Sequence, residues 1–301
     1  MDRFTELETF VAVAEAGGFN AGARRLGKSS PTVTRLVQGL EERLGTRLFT
    51  RTTRQIALTE AGARLLSDAR AILDSLGAAE ASARGAHEDP QGVLSVTAPV
   101  VFGRLYIAPI LQRYLDRYPA VAARALYLDR VVNLIEEGQD VAVRIGDLPD
   151  STLTAVKVGD VRRVVVAAPS YLTAFGAPET LSDLAAHRIA VAVNLNPKQD
   201  WVFEAEGTAR TVSVAPVLHG NTVDSALDAA MSGWALTRAF SYQVVDAVRS
   251  GALVEVLPEF EDRHVPVHLV HAEGALRAAK IRVFLDHAAT ELRRQAAFWI
   301  G

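Results

Sequence analysis

The chain has 301 residues, of which 49% are hydrophobic and 22% charged, and it contains no cysteine. This composition predicts about two packed domains and excludes disulfides, thiol catalysis and cysteine-ligated zinc. No apolar run approaches the ~18–20 residues of a membrane span, and the first residues lack the pattern of a secretory signal. We therefore expect a cytoplasmic protein that does not bind membranes.

Positive charge is concentrated near the start of the chain. Residues 19–64 contain nine Lys and Arg against three acids, although the net charge of the whole chain is −3. A basic segment on an acidic protein indicates contact with a polyanion such as nucleic acid. On charge alone, a chance fluctuation within a short window explains the pattern equally well.

Residues 1–58 are predicted to form short helices. Apolar residues at i, i+3, i+4 and i+7 from Leu7 indicate a first helix, which ends at Gly17 and Gly18. A short helix is predicted from Asn20 to Leu26, and another begins at 29–31, where a serine can cap the helix and Pro31 suits its first turn. The predicted buried stripe of the latter is Val33, Val37, Leu40 and Leu44. Two helices joined by a tight turn, the second small and polar on its outer face, are typical of a helix-turn-helix.

The outer face of that second helix carries the side chains that we expect to meet DNA. Near its N-terminal end, the residues predicted to lie close to base edges are Ser29, Ser30, Pro31 and Thr34. Arg35, one turn further on, is predicted to contact phosphate. The alternating segment 48–58 predicts a hairpin, or wing, and the residues expected to contact DNA there are Arg51, Thr52 and Arg54. The two arginines suit either the DNA backbone or a narrow minor groove. The alternative is that these arginines are solvated charges on an ordinary helical bundle.

A long helix is predicted from Thr59, which can cap it, to Arg84, roughly 39 Å at ~1.5 Å per residue. Its apolar residues are spaced alternately three and four apart, the period of a coiled-coil seam. The residues predicted to form a dimer seam are Leu65, Ala69, Ile72, Leu76 and Ala79. Packing of the same stripe onto the protein's own domain is the alternative.

Beyond a polar segment at 85–92, strands and helices alternate, which predicts an α/β domain. Predicted strands are 93–97, 124–128, 141–145, 163–167, 189–193, 212–214, 235–237, 253–256 and 265–271. Predicted helices are one that ends before Pro119, and 131–137, 222–231, 241–250 and 280–294. The loop 98–103, between a strand and a helix, is a candidate anion site. Arg144 is either a ligand counter-ion or a surface arginine paired with Asp147.

Catalytic signals are weak. The sequence has neither a Gly-x-Ser-x-Gly elbow nor a phosphate-binding glycine loop, and its histidines lack metal-ligand spacing. We therefore expect no enzymatic activity, no metal and no cofactor.

Several motifs together resemble the LysR-type transcriptional regulators. The motifs of the N-terminal segment are Leu7, Phe10, Gly18-Phe19, Ala21 to Leu26, Ser29, Val33, Arg35, Leu40-Glu41, Leu44-Gly45, Leu48-Phe49, Arg51, Leu58-Thr59 and Ala61-Gly62. Later matches are Phe102-Gly103-Arg104, Tyr118-Pro119, Glu137-Gly138, Asp140 to Gly146 and Pro169 to Leu172. The resemblance covers nearly the whole chain and is weaker after about Leu172.

The resemblance implies an α/β protein with an N-terminal all-α winged helix-turn-helix and a two-lobed effector domain like periplasmic binding proteins. The implied domains are the DNA-binding domain at 1–58, a dimerisation linker helix at 59–86 and the effector-binding domain at 87–301. Within the last, lobe I comprises about 93–165 and 269–301, and lobe II about 166–268.

The resemblance also implies function and partners. Such proteins bind interrupted palindromes in double-stranded DNA as homodimers or homotetramers, and RNA polymerase is a further partner. A small-molecule effector binds between the lobes, and the implied pocket residues are Val100, Val101, Phe102, Arg144, Asn194 and Asn221. Here the first pocket loop reads Pro99-Val100-Val101, without the hydroxyls that hold an effector carboxylate in many members. An α/β solute-binding protein or enzyme, merely dimerised by its N-terminal helices, is the alternative.

Overall fold

The structure, a computed structural model, describes residues 2–51, 56–83, 89–148, 152–192, 200–205, 207–261 and 264–299. Its helices are α1 (Arg3–Glu15), α2 (Phe19–Arg25), α3 (Ser30–Leu44), α4 (Glu60–Ala83), α5 (Val100–Phe102), α6 (Ala108–Arg117), α7 (Pro169–Phe175), α8 (Val223–Met231), α9 (Ser241–Arg249) and α10 (Ala279–Gln295). A π-helical turn, Gly103–Ile107, joins α5 to α6.

The strands are β1 (Phe49–Arg51), β2 (Ile56–Leu58), β3 (Gly92–Ala98), β4 (Val121–Tyr127), β5 (Val141–Ile145), β6 (Leu153–Ala167), β7 (Ile189–Ala192), β8 (Asp200–Ala205), β9 (Thr208–Ser213), β10 (Leu218–Gly220), β11 (Leu236–Phe240), β12 (Val254–Val256) and β13 (His264–Ala272). Most of the predicted strands are present, and several are longer than predicted.

The N-terminal helices enclose a small hydrophobic core. Phe10 and Val13 of α1 pack there against Val33, Val37 and Leu40 of α3. These three residues of the predicted stripe therefore form the buried face of α3, whereas Leu44, at the end of the helix, is 42% exposed. The short antiparallel hairpin of β1 and β2 lies beside this core, which completes the predicted winged helix-turn-helix.

Helix α4 starts against the hairpin. The hydroxyl of Thr59 accepts a hydrogen bond from the N–H of Gly62 at 2.9 Å, so Thr59 caps the helix as predicted. A Cβ at Gly62 would lie 2.1 Å from the carbonyl oxygen of Leu48. Only glycine permits this close approach of helix and hairpin.

The C-terminal part of the chain is built on one sheet with the strand order β10-β7-β11-β6-β13-β5-β3-β4, and β12 also pairs with β6. On one side β3 pairs in parallel with β4 and β5, and on the other β7 pairs in parallel with β10 and β11. The long strands β6 and β13 run antiparallel between the two groups. They therefore join two parallel α/β lobes. One hydrophobic core extends through both lobes, and a second lies within the lobe of β7, β10 and β11.

The helix predicted at 131–137 is wrong. Residues 134–138 form turns, in which the side-chain oxygen of Asn133 accepts hydrogen bonds from the N–H groups of Ile135 and Glu136 at 3.2 and 3.4 Å. The carboxylate of Glu137 accepts one from the N–H of Asn133 at 3.2 Å. These local bonds offer the backbone an alternative to helical pairing.

The predicted loop at 98–103 is also corrected. Pro99 occupies the N-cap position, and the helix already begins at Val100. Val101 is 3% and Phe102 0% exposed, and both belong to the hydrophobic core. A helical backbone points these two apolar side chains into the core, and their removal from water favours that backbone.

Candidate DNA-binding and effector sites

The start of α3 is fixed by two serines. Ser29 is the N-cap residue, and its hydroxyl accepts a hydrogen bond from the N–H of Thr32 at 3.3 Å. The hydroxyl of Ser30 donates to the side-chain oxygen of Asn20 at 2.7 Å and so ties α3 to α2. Both serines, predicted to face DNA, thus also position the helix that would enter the groove.

The remaining predicted residues of α3 point outward. Pro31 and Arg35 are exposed and Thr34 is half-buried. Within the described part of the chain, the side chains of Thr34 and Arg35 have no hydrogen-bond or ion-pair partner. The neighbouring Leu36 is buried and extends the core. The outer face of α3 is therefore available to a ligand.

The wing is described only at its base. The backbone of Arg51 lies in β1, opposite Ile56 of β2. The predictions for the Arg51 side chain, and for Thr52 and Arg54, lie outside the described residues.

Glu41 holds the base of the wing. Its buried carboxylate accepts hydrogen bonds from the N–H groups of Leu48 and Phe49 at 2.8 and 3.2 Å and pairs with Arg47 at 3.0 Å. Burial acts to raise the pKa of Glu41, but these three donors outweigh it and lower the pKa below its usual value. Sequence reasoning missed this role.

The predicted seam of α4 divides into two parts. Ala69 is fully buried in the helix-turn-helix core, and Leu65 packs against that core. Ile72 is 44% exposed, Leu76 is half-buried, and the side chain of Ala79 lies outside the described residues. The first turns of α4 therefore pack on their own chain, whereas Ile72 presents apolar surface to solvent.

A cavity of about 240 Å³ lies where the parallel strands β3, β4 and β5 end. Such strand ends are the usual ligand site of α/β sheets. The opposite wall comes from β11 and α9, in the other lobe, through Phe240, Tyr242 and Gln243. The cavity is thus bounded by both lobes.

The structure brings some predicted effector residues to this cavity and not others. Arg144 lines it, together with Pro99. Val100, Val101 and Phe102 do not line it, because α5 directs the latter two into the core. Asn221 is exposed, follows β10 and does not line the cavity, and Asn194 lies outside the described residues.

Two charged side chains in the cavity have polar backbone partners. Asp129 accepts a hydrogen bond from the N–H of Val100 at 2.9 Å. Arg144 donates to the carbonyl of Val132 at 2.9 Å; it forms no ion pair with Asp147 or any other described acid. Burial, and next the negative charge of Asp129, raise the pKa of Tyr242. Asp129 and Tyr242 were not predicted.

An ion cluster joins the helix-turn-helix to the C-terminal part. The carboxylate of Glu15, at the end of α1, lies 2.7 Å from Arg25, 3.0 Å from Arg70 of α4 and 3.4 Å from Arg124 of β4. Burial acts to raise the pKa of Glu15, but the hydrogen bond from Arg25 and the charges of Arg124 and Arg70 outweigh it and lower the pKa.

Two further searches cover only the part of the chain that the structure describes. No helix there is long and apolar enough to cross a membrane. No group of three His, Asp or Glu there is placed to hold a metal ion.

Comparison with known families identifies both parts of the chain. Residues 4–63 match the model of the bacterial regulatory helix-turn-helix proteins of the lysR family. Residues 87–293 match the model of the LysR substrate binding domain. The chain therefore belongs to the LysR family of transcriptional regulators, with a helix-turn-helix for DNA and a domain for an effector. This finding confirms the resemblance and favours it over the alternative of a merely dimerised solute-binding protein or enzyme.

Individual relatives are similar over their full length. The transcriptional regulator CrgA of Neisseria meningitidis serogroup B is 34% identical over 289 residues, covering 95% of this chain and 96% of CrgA. The regulator DmlR of Escherichia coli is 30% identical, covering 93% of this chain and 92% of DmlR.

Solved structures agree with the fold. The structure of CrgA superposes with a TM-score of 0.62 at 33% identity, covering 96% of this chain and 98% of CrgA. Full-length AphB of Vibrio cholerae superposes with a TM-score of 0.61 at 23% identity, covering 96% of this chain and 99% of AphB, and supports the fold alone.

Proposed function

We propose that two copies of this chain bind the two halves of an interrupted palindrome in DNA. The exposed face of α3 is the observation that carries this proposal, because Thr34 and Arg35 have no partner among the described residues. Short side chains there reach base edges, Arg35 holds phosphate, and Ser29, Ser30 and Pro31 set the end of the helix that enters the groove. Arg51, Thr52 and Arg54 of the wing contact the DNA backbone.

Helix α4 pairs the two copies in this proposal. Ile72 lies 44% exposed on the predicted seam, and a second α4 is the partner that buries it. In this proposal residues 1–58 bind DNA, residues 59–86 pair the two copies, and residues 87–301 bind the effector. The two lobes of the effector domain are about 93–165 plus 269–301, and about 166–268. A small molecule in the cavity draws the lobes together, and α4 transmits the change to the spacing of the two α3 helices. Its effect is limited by its differential affinity for the two states.

The protein works in the cytoplasm, has no catalytic role, and acts on transcription with RNA polymerase. The absence of cysteine agrees with a reducing compartment, and the family consists of transcriptional regulators.

Selection of DNA from a random library with the purified full-length chain tests the proposal. We expect enrichment of an inverted repeat whose half-sites are separated by a whole number of helical turns, about 10–10.5 base pairs each. Affinity for the enriched sequence is then compared with that for scrambled DNA of equal length. Enrichment of a single asymmetric half-site, or equal affinity for both sequences, would contradict it.

A further inference from the structure

Two charges of opposite sign face the cavity without an ionic partner in the described structure. Asp129 has one hydrogen bond, from the N–H of Val100 at 2.9 Å. Arg144 has one, to the carbonyl of Val132 at 2.9 Å. By contrast, the guanidinium of Arg130 at the same cavity is bound through both nitrogens to the carboxylate of Glu137, at 2.7 and 2.6 Å. Asp147, the fourth charged residue of the lining, also has a partner. Asp129 and Arg144 are thus the charges that remain for a ligand.

Asp129 determines which kind of ligand group can bind at the end of β3. The N–H of Val100 is the donor that a ligand carboxylate would use there, but it already donates to an internal carboxylate. A ligand anion at this end would also meet the charge of Asp129 at close range, which is destabilising. This end of the cavity therefore favours an N–H donor or a positive charge.

Arg144 has the opposite preference. It is half-buried, and its guanidinium retains N–H donors beyond the one used by Val132. Guanidinium groups match carboxylates in geometry and charge. The cavity walls beside these two residues include the apolar side chains Ala142, Val143 and Phe240. A closing cavity would desolvate both charges, and a ligand of both signs compensates this cost.

We propose that the cavity binds a small zwitterion of the amino-acid type, whose ammonium group contacts Asp129 and whose carboxylate contacts Arg144. The volume of about 240 Å³ falls below the ~300–1,000 Å³ of sites for drug-sized ligands, so the ligand is a compact metabolite. This inference rests on the proposed function, in which the cavity is the effector site.

The test uses the full-length chain and a defined set of probes. These are the twenty standard amino acids, the acids that lack their amino group and the amines that lack their carboxylate. Binding is measured by calorimetry. We expect at least one amino acid to bind at least tenfold more tightly than its matched acid and its matched amine. Stronger binding of a matched acid, or no binding by any amino acid, would overturn the inference.

Variants assign the two contacts. Asp129→Asn keeps an oxygen for the N–H of Val100 but removes the charge, so we expect the preference for the amino acid over its matched acid to fall from tenfold or more to nearly none. Arg144→Gln should instead abolish the preference over the matched amine. A folding defect would weaken all probes alike. Asp228→Asn, an exposed change on α8, is the control and should keep both preferences; unchanged ratios in Asp129→Asn would contradict the assignment.

The affinity of the same protein preparations for the enriched DNA is measured as well. It distinguishes a failure of the ligand proposal from a failure of the proposed function. Sequence-specific DNA binding together with a preference for matched acids refutes the ligand class and leaves the proposed function standing. Failure to select any DNA sequence refutes the proposed function whatever the probes do.

Discussion

Arg35 combines exposure with a lack of ionic partners in the described structure. We predict that Arg35→Ala weakens binding to specific and scrambled DNA alike, because a phosphate contact carries no sequence information. Loss of one phosphate contact should lower the slope of log affinity against log salt by about one. Fluorescence anisotropy over a salt series measures both effects. Arg249→Ala, an exposed arginine of α9, is the matched control, and an unaltered slope in Arg35→Ala would exclude the phosphate role.

Thr34 lies one position earlier, half-buried on the same surface. Its hydroxyl and methyl groups suit base edges, so we predict that Thr34→Ala alters preference among operator variants rather than affinity for all DNA. A lost base contact should cost about 1–3 kcal/mol at one base pair. Competition between labelled operators that differ at single positions measures this. An equal loss at every operator would contradict a base contact.

At the scale of elements, Glu41 links α3 to the wing. Glu41→Gln keeps the shape of the side chain but removes its charge. That charge binds the N–H groups of Leu48 and Phe49 and the guanidinium of Arg47. Because hydrogen bonds to charged groups contribute about 1.5–3 kcal/mol, we predict a loss of that order in the free energy of unfolding at pH 7. Denaturant titration measures it. Glu42→Gln, an exposed neighbour, should change little.

The same variant has a defined pH dependence. The pKa of Glu41 is lower in the folded than in the unfolded chain, so its contribution is complete above the unfolded value of about 4.3 and is lost as pH falls through the folded pKa. The difference between wild type and Glu41→Gln should therefore be largest above pH ~5 and shrink in stronger acid. A constant difference would show that ionisation of Glu41 is not the cause.

The elements that the sequence predicted best are those whose signals are local. Ser29 caps α3 and Thr59 caps α4, and the apolar stripe from Val33 to Leu40 forms the core. The helix predicted at 131–137 failed because Asn133 and Glu137 bond to nearby backbone. The spacing of apolar residues does not show that side chains compete for the hydrogen bonds of the helical backbone.

The cavity was predicted only in part, because its charges act through tertiary contacts. Arg144 was found as a charge in a buried strand, whereas Asp129 acts by accepting from Val100, 29 positions away. One signal was present: Asp129 directly follows the predicted strand 124–128, so it stands at a strand end where ligands usually bind. The contribution of Tyr242 required knowing that α9 lies across the cavity from β3.

At the scale of the whole molecule, α4 is the proposed contact between two copies. We predict that Ile72→Arg weakens self-association at least tenfold, because a guanidinium would replace the exposed apolar side chain in the seam. Analytical ultracentrifugation over a concentration series measures this. Met231→Arg on α8, where the methionine is 45% exposed, is the matched control. Unchanged association of Ile72→Arg would favour a different interface.

The ion pair of Glu15 with β4 can break without leaving the Glu15 carboxylate unpaired. Of its three arginines, only Arg124 belongs to the C-terminal sheet, and its 3.4 Å contact is the longest. If that contact opens, the Glu15 carboxylate remains paired with Arg25 and Arg70. A half-exposed pair of this kind contributes only about 0.2–1 kcal/mol. This ion pair therefore costs little to break, and the contacts of α4 with the turn Ala275–Arg277 are left to hold the two parts together.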